Sequence, residues 1–290
     1  MDKRPWKKST VLHLPINPAA WRIAGRTRQL VDMIVGWADQ AARPERLCVY
    51  LGHDALAVCR VTGRFKPIVQ DKAVLLTDAG VHDLTGRLAA LDAWLDAHPV
   101  RGAIDWIIGI DYVRYLLLPW NPRLVSDAFS RSLAAALFAQ HFAADAIPFA
   151  DHQLRFAPVS FGHPRLAALI ANDVIGELTA FSKRRKYRIR QIAPALSVAW
   201  NRLFAHVKLG TGVLALIEGP RLLRIASNHG HITALSIQPY SYSRSSAIPD
   251  DATWVFPAHH LAASAGHMLT VDGHKPNDDV RLAYALCGAV

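Results

Sequence analysis

Hydrophobic residues run almost unbroken through WIIGIDYVRYLLLPW (106–120), yet the stretch also holds Asp111, Arg114 and a Pro-Trp end. The pattern predicts two strands. AIDWIIGI (103–110) follows a helix and reads as buried on both faces. VRYLLLPW (113–120) ends at Pro119, which cannot donate to a sheet ladder. Upstream, RLCVYL (46–51), the turn GHD (52–54) and ALAVCRV (55–61) form a hairpin pattern, and AVLL (73–76) is a third strand. Leu84, Leu88, Leu91 and Leu95 recur at helical spacing across 82–97, and His98-Pro99 stops that helix. Before the hairpin, Leu30, Val31, Ile34, Val35 and Ala38 predict a helix over 26–42, ended by Pro44.

Downstream of 120, Ser126 caps a predicted helix at 127–142. Strands follow at 152–159 and 165–171, joined by a turn around Phe161-Gly162-His163-Pro164. A helix runs from Asn172 or Asp173 to about Lys183, then a strand at 187–193 and a helix at 194–207 with Pro near its start. Residues 212–240 read as a three-stranded meander with turns at Glu218-Gly219-Pro220 and Asn228-His229-Gly230. A strand at 252–258 and a short terminal helix complete the order.

Composition supports a packed protein: 51% of residues are apolar and 19% charged, outside the range of disordered chains. The formal charge of +10 favours anionic neighbours without choosing among nucleic acid, acidic protein and anionic lipid. Cys48, Cys59 and Cys287 are too few for a disulfide framework and fit a reducing compartment. The basic start, with Lys3, Arg4, Lys7 and Lys8 around Trp6, is not a signal peptide, because His13, Pro15 and Asn17 interrupt the following run. No stretch is long and apolar enough for a membrane span, so the cytoplasm is the expected location.

Individual chemistries find little support. His229 and His231 would share a strand face, and His259, His260, His267 and His274 follow, but no carboxylate completes a metal-ligand spacing, so no metal is expected. No G-x-S-x-G elbow is present. The pairs Asp250-Asp251 and Asp278-Asp279 read as loop and helix-cap carboxylates. KRRKYRIR (183–190) is the densest basic run. Lys183, Arg184, Arg185 and Lys186 make a solvated helix end or a surface for anionic lipid or an acidic partner. Nucleic acid ranks last, since only Phe181 and Tyr187 are interleaved.

Two halves that each open with a hairpin resemble the actin-like ATPase superfamily. The stretch DWIIGIDYVRYLLLPW, leading to AIPFADHQLRF and then RLAALIANDVIGELTAFSKRRKYRIRQIAPALSVAWNRL, resembles the cytoplasmic scaffold proteins PilM of type IV pilus assembly and GspL of type II secretion, over roughly 46–240. The resemblance implies an α/β, actin-like (ribonuclease-H-like) fold with an inserted β-α-β-β-α subdomain and a shortened second lobe. Its implied divisions are a basic extension at 1–46, a first lobe at 47–112 plus 187–206, the insertion at 113–186, and the second lobe at 207–290.

In actin-like ATPases two hairpin turns cradle phosphates, each with an Asp near a Gly that lets the backbone approach. Here Tyr50 stands where the first Asp is expected, beside Gly52. Glu218 and Gly219 occupy the second turn, but Pro220 removes a donor. The adenosine loop would be FPAHH (256–260), where Pro257 and His259 replace a Gly pair. No cofactor is therefore expected, with ATP as the alternative. The resemblance further implies a scaffold without nucleotide turnover, peripheral to the inner membrane. Its partner would be a PilN-like or GspM-like inner-membrane protein with a cytosolic segment. An assembly ATPase, a second copy or anionic lipid are further candidates. Arg114, Tyr115, Trp120 and Phe129 are the candidate partner contacts. VLHLPINP (11–18) is loosely similar to the Asn-Leu-Leu-Pro-type tail that PilM proteins bind. Rival readings are an ATP-binding actin-like ATPase and a basic nucleic-acid-binding protein.

Overall fold

A computed structural model of the chain describes residues 45–63, 67–76, 83–241, 251–258 and 266–289. The helix expected at 26–42, the basic start, the 11–18 segment and His259 lie outside the described residues. The chain forms β1 (Glu45–Leu51), β2 (Ala55–Thr62), β3 (Ile68–Leu76), α1 (Leu84–Ala97), β4 (Ala103–Ile108) and β5 (Val113–Leu118). Then come α2 (Asp127–His141), β6 (His152–Phe156), β7 (Arg165–Ala171), α3 (Asn172–Arg184), β8 (Arg188–Pro194) and α4 (Ala195–Val207). The last part holds β9 (Thr211–Glu218), β10 (Arg221–Asn228), β11 (His231–Pro239), β12 (Ala252–Phe256), β13 (His267–Met268) and α5 (Leu282–Ala289).

One wiring occurs twice. The first sheet has the order β3-β2-β1-β4-β8, and the second β11-β10-β9-β12-β13. In each, the first strand pairs antiparallel with the second and parallel with the fourth, and the fifth extends the parallel side. Central strands of such sheets are covered on both faces and therefore read as continuous apolar runs. All residues of AIDWII in β4 are buried, and so are Leu47 to Leu51 in β1.

The helices follow from where apolar surface must go. On one face of the first sheet Trp106 meets α3, with its indole N–H donating to Ser182 Oγ (3.0 Å) and its ring edge-on to Phe181. On the other face lie α4 and α5. Apart from Ser197 the first turns of α4 are apolar all round, as a helix enclosed between sheets requires, and Ala195 to Trp200 are all buried. At Gly288 of α5 a Cβ would lie 2.6 Å from Ile107 Cδ1, so the C-terminal helix returns to press on the first sheet.

Between β4 and β8 the chain builds a third sheet, β5-β7-β6, antiparallel throughout. Strand alternation splits β5: Val113, Tyr115 and Leu117 turn to the main core, while Leu116 and Leu118 pack with α2 residues Ala134 and Phe138. The second sheet is less covered. One face joins the main core, and the other carries a small cluster of Ala215, Ile217, Leu222, Tyr240, Ala252 and Val255.

The differences from expectation are local. β3 begins at Ile68 rather than 73, because the polar residues Gln70, Asp71 and Lys72 sit on an edge strand where burial does not demand alternation. His229 lies in the turn with φ +48 and His231 opens β11, so the two histidines do not share a strand face. No helix among the described residues is long and apolar enough to cross a membrane.

All three thiols are buried, and burial pushes Cys59 up to about 12 and Cys48 and Cys287 upward as well. Native protein at pH 8 should therefore leave Ellman's reagent unreacted, and denaturation should release three equivalents. Fast labelling of native protein would contradict this packing.

Candidate functional site

The two large sheets meet at their first hairpin turns. Gly52-His53-Asp54 links β1 to β2, and Gly219-Pro220 links β9 to β10. Gly219 has φ +56, and a Cβ there would lie 2.7 Å from the Cβ of His53. Only glycine permits that backbone angle cheaply and that approach of one turn to the other. Gly109, just after β4, closes the third side: a Cβ would lie 2.5 Å from Leu51 O and 3.2 Å from Glu218 Oε2.

Glu218 sits at the centre, 2% exposed. Its Oε2 accepts from the Tyr50 hydroxyl (3.1 Å) and the Ile110 N–H (2.9 Å), while Oε1 is buried without a partner. Burial pushes this carboxyl up to about 7, and Asp111 nearby adds to the rise, against the Ile110 and Tyr50 hydrogen bonds that favour the anion. Ionised, Glu218 leaves an oxygen of a charged group unpaired inside the protein; protonated, it is a neutral group in an apolar shell. The Tyr50 ring stacks on Tyr284 of α5 (4.7 Å), whose hydroxyl donates to Ile217 O (2.8 Å). Burial and the Glu218 charge raise the Tyr50 phenol well above its ordinary value.

Two further side chains lock the first turn. Arg87 of α1 is fully buried and donates to the carbonyls of Gly52 and His53. His53 Nδ1 lies 2.7 Å from Asp111 Oδ2, and Arg221 Nε lies 3.8 Å from the other Asp111 oxygen.

Clefts flank Arg114. One, of about 500 Å³, is lined by His53, Asp111, Arg114, Phe142, Arg221 and Ile237, between the turns and the third sheet. The other, of about 430 Å³, lies among the starts of α1 and α3 and the segment after α2; Asp111, Asp145, Asp173 and Glu177 line it together with Leu84 and Val174. Arg114 Nε donates to Asp145 Oδ2 (2.6 Å), which holds that carboxyl low although burial opposes it.

The structure brings Tyr50, Gly52, Glu218 and Gly219 together. Pro257 follows β12 beside Phe256, whose ring meets Tyr284 edge-on (5.3 Å), so it borders the same junction. The four candidate partner contacts do not form one surface. Tyr115 is 5% exposed and belongs to the core, a correction that follows from its parity on β5. Arg114 divides the clefts, whereas Trp120 and Phe129 lie beyond the far end of β5, against Phe161 (5.1 Å) and under Arg123 (4.5 Å). Of the basic run, Lys183, Arg184 and Lys186 are exposed; Arg184 and Arg185 bond Asp92 of α1, and Arg185 also bonds Asp96 (2.7 Å). Sequence reading missed Arg87, His53, Asp111 and Tyr284. Arg87 did leave a signal, since it sits on the apolar face of α1 between Leu84 and Leu91.

No protein-family model matches this sequence, and no curated protein matches it. Among solved structures the chain is similar to the cytoplasmic domain of EpsL, an inner-membrane component of the type II secretion system of Vibrio cholerae. The TM-score is 0.50 at 11% identity, over 84% of this chain and 94% of that one. It is also similar to the PilM-PilN type IV pilus biogenesis complex, with a TM-score of 0.50 at 16% identity, over 70% of this chain and 64% of that one. A Bacteroides thetaiotaomicron protein of actin-like ATPase fold and unknown function aligns with a TM-score of 0.47 at 9% identity, over 73% and 74% of the two chains. The repeated strand order, together with the two neighbours at a TM-score of 0.50, gives the chain an α/β, actin-like fold. The neighbours include both kinds of protein that the sequence resembles.

Glu218 makes a pH prediction with a definite sign. Its folded pKa of about 7 lies above the ordinary 4.5, so the stability tied to its protonated form is full below pH 4.5 and is lost as pH rises through 7. Glu218→Gln should remove that loss and gain, relative to wild type, on the order of 3 kcal/mol between pH 4.5 and 8. Urea unfolding at several pH values measures it; a constant difference between the two proteins would contradict the assignment.

Proposed function

We propose that the chain is a non-catalytic actin-like scaffold of a bacterial type IV pilus or type II secretion machine, peripheral to the inner membrane and working by protein binding. One observation carries the absence of nucleotide turnover: the two turns that cradle phosphates in actin-like ATPases touch each other here, with Gly219 against His53. A phosphate would have to displace His53, would meet Glu218 and Asp111, and would find no donor at Pro220. The similarity to the cytoplasmic domain of an inner-membrane secretion component, and to a pilus protein solved with its partner PilN, supports a binding role.

The acidic cleft beside Asp145 suits that role. Asp145 there is paired with Arg114, but the exposed Asp173 and Glu177 beside Leu84, Tyr112, Ile147 and Val174 fit an extended, largely apolar segment that carries a cationic residue, supplied by a PilN-like protein.

Two measurements test this reading. Thermal unfolding with millimolar Mg-ATP should match unfolding without it, whereas a ligand at 100 times its Kd would stabilise the protein by about 2.7 kcal/mol. A clear upward shift would overturn the nucleotide-free reading. For the cleft, the cytosolic peptide of the cognate PilN-like protein should bind in fluorescence polarisation. The exposed pair Asp173→Lys and Glu177→Lys should weaken it about 10-fold, equivalent to about 1.4 kcal/mol. Undiminished binding would move the partner off this cleft.

A further inference from the structure

The described surface exposes few large apolar side chains, and three of them gather at one end of the molecule. Phe161 (88% exposed) tips the β6–β7 loop, Val125 (74%) ends the turn after β5, and Leu209 (78%) follows α4. A chain of contacts joins these positions into a continuous rim. Gly210 O accepts from the His229 N–H (2.9 Å), and Gly230 leaves only 3.4 Å between an added Cβ and Lys208 Cα, so the β10–β11 turn lies on the end of α4. Just past that turn, His231 stacks on His163 (3.8 Å between centroids, 11° between planes). The His163 loop carries Phe161, which meets Trp120 edge-on at 5.1 Å. Arg165, two residues on, donates to Leu124 O (3.0 Å), next to Val125.

The charges of the rim are mostly of one sign. Arg123 and Lys208 are exposed there. Among these contacts the carboxylate is Asp127, and it is paired with Arg165 (3.3 Å). Isolated exposed apolar residues need no explanation, but a rim of them set among aromatic rings and cations does. Indole and phenyl groups flanked by Arg and Lys partition to the boundary between lipid headgroups and acyl chains, while the cations meet lipid phosphate. The run at 183–186, by contrast, gives part of its charge to α1.

We propose that this end of the molecule docks on an anionic phospholipid bilayer. Phe161, Val125 and Leu209 enter the headgroup layer, and Arg123 and Lys208 face lipid phosphate. The inference deepens the membrane-peripheral part of the reading above. It is independent of the acidic cleft, which lies beside Arg114 at the opposite end of the third sheet.

The test is co-sedimentation of the full chain with vesicles of phosphatidylethanolamine and phosphatidylglycerol, and with vesicles of phosphatidylcholine alone, at physiological salt. Wild type should bind the anionic vesicles and not the neutral ones. The triple variant Val125→Ser, Phe161→Ser, Leu209→Ser should bind at least about 10-fold more weakly with an unchanged Tm, since all three side chains are exposed. Attraction from the basic N-terminal segment is common to both proteins and cancels in that ratio. Equal binding by the triple variant, or no binding by wild type, would overturn the proposal. So would a concentration-dependent dimer, seen by light scattering, that the triple variant abolishes while wild type ignores vesicles; the rim would then be a contact between copies. The PilN-like peptide assay, repeated on the triple variant, separates the two readings. The variant should bind the peptide as wild type does while losing the anionic vesicles; failure of wild type to bind the peptide, with its vesicle binding intact, would remove the cleft and leave the rim.

Discussion

Everything in this molecule converges on one close contact, the meeting of the β1–β2 and β9–β10 turns. Gly219 rests on His53, Gly109 backs onto Leu51 and Glu218, and the Glu218 carboxyl joins Tyr50 to the Ile110 amide. Such a junction is costly to assemble. It buries a titratable group with one oxygen unpaired, and the full desolvation cost of that group must be offset by its surroundings. The Tyr50–Tyr284 stack, the Tyr284 hydroxyl on Ile217 and the Arg87 guanidinium on the first turn supply that offset.

The cost makes sense in view of what the junction holds together. Each large sheet repeats the same five-strand wiring, and the repeats are joined by α4, enclosed between them, and by α5, which returns from the end of the chain to the first sheet. A nucleotide filling the gap between such halves would make their spacing depend on the ligand. Here the two turns also touch directly, Gly219 against His53. A rigid body of this kind is suited to presenting surfaces: a cleft lined with carboxylates beside Arg114, and a cationic, aromatic rim beyond Trp120. These lie at opposite ends of the third sheet.

Much of the fold was legible along the chain. A near-continuous apolar run, broken only by the buried Asp105, marked β4 because both its faces are covered, and the leucine spacing marked α1 because only one of its faces is. β3 was read short, since an edge strand is free to carry Gln70, Asp71 and Lys72. The two-residue β13 left no pattern to read, because its pairing with β12 is decided by neighbours and not by its own residues.

By itself, then, the sequence determined the order and type of the described elements other than β13, the paired hairpins, and the unusual residues at both turns: Tyr50 beside Gly52, and Glu218, Gly219 and Pro220. These are local matters, set by periodicity and by what each residue type permits the backbone. Tertiary structure alone decided that Tyr50 and Glu218 touch, that Arg87 serves a turn distant in sequence, that Tyr115 faces inward, and that Arg184 and Arg185 bond α1 carboxylates. Each of these depends on which face of one element meets which face of another. A side chain's partner across that gap is fixed by packing in three dimensions, and it leaves no periodic trace along the chain.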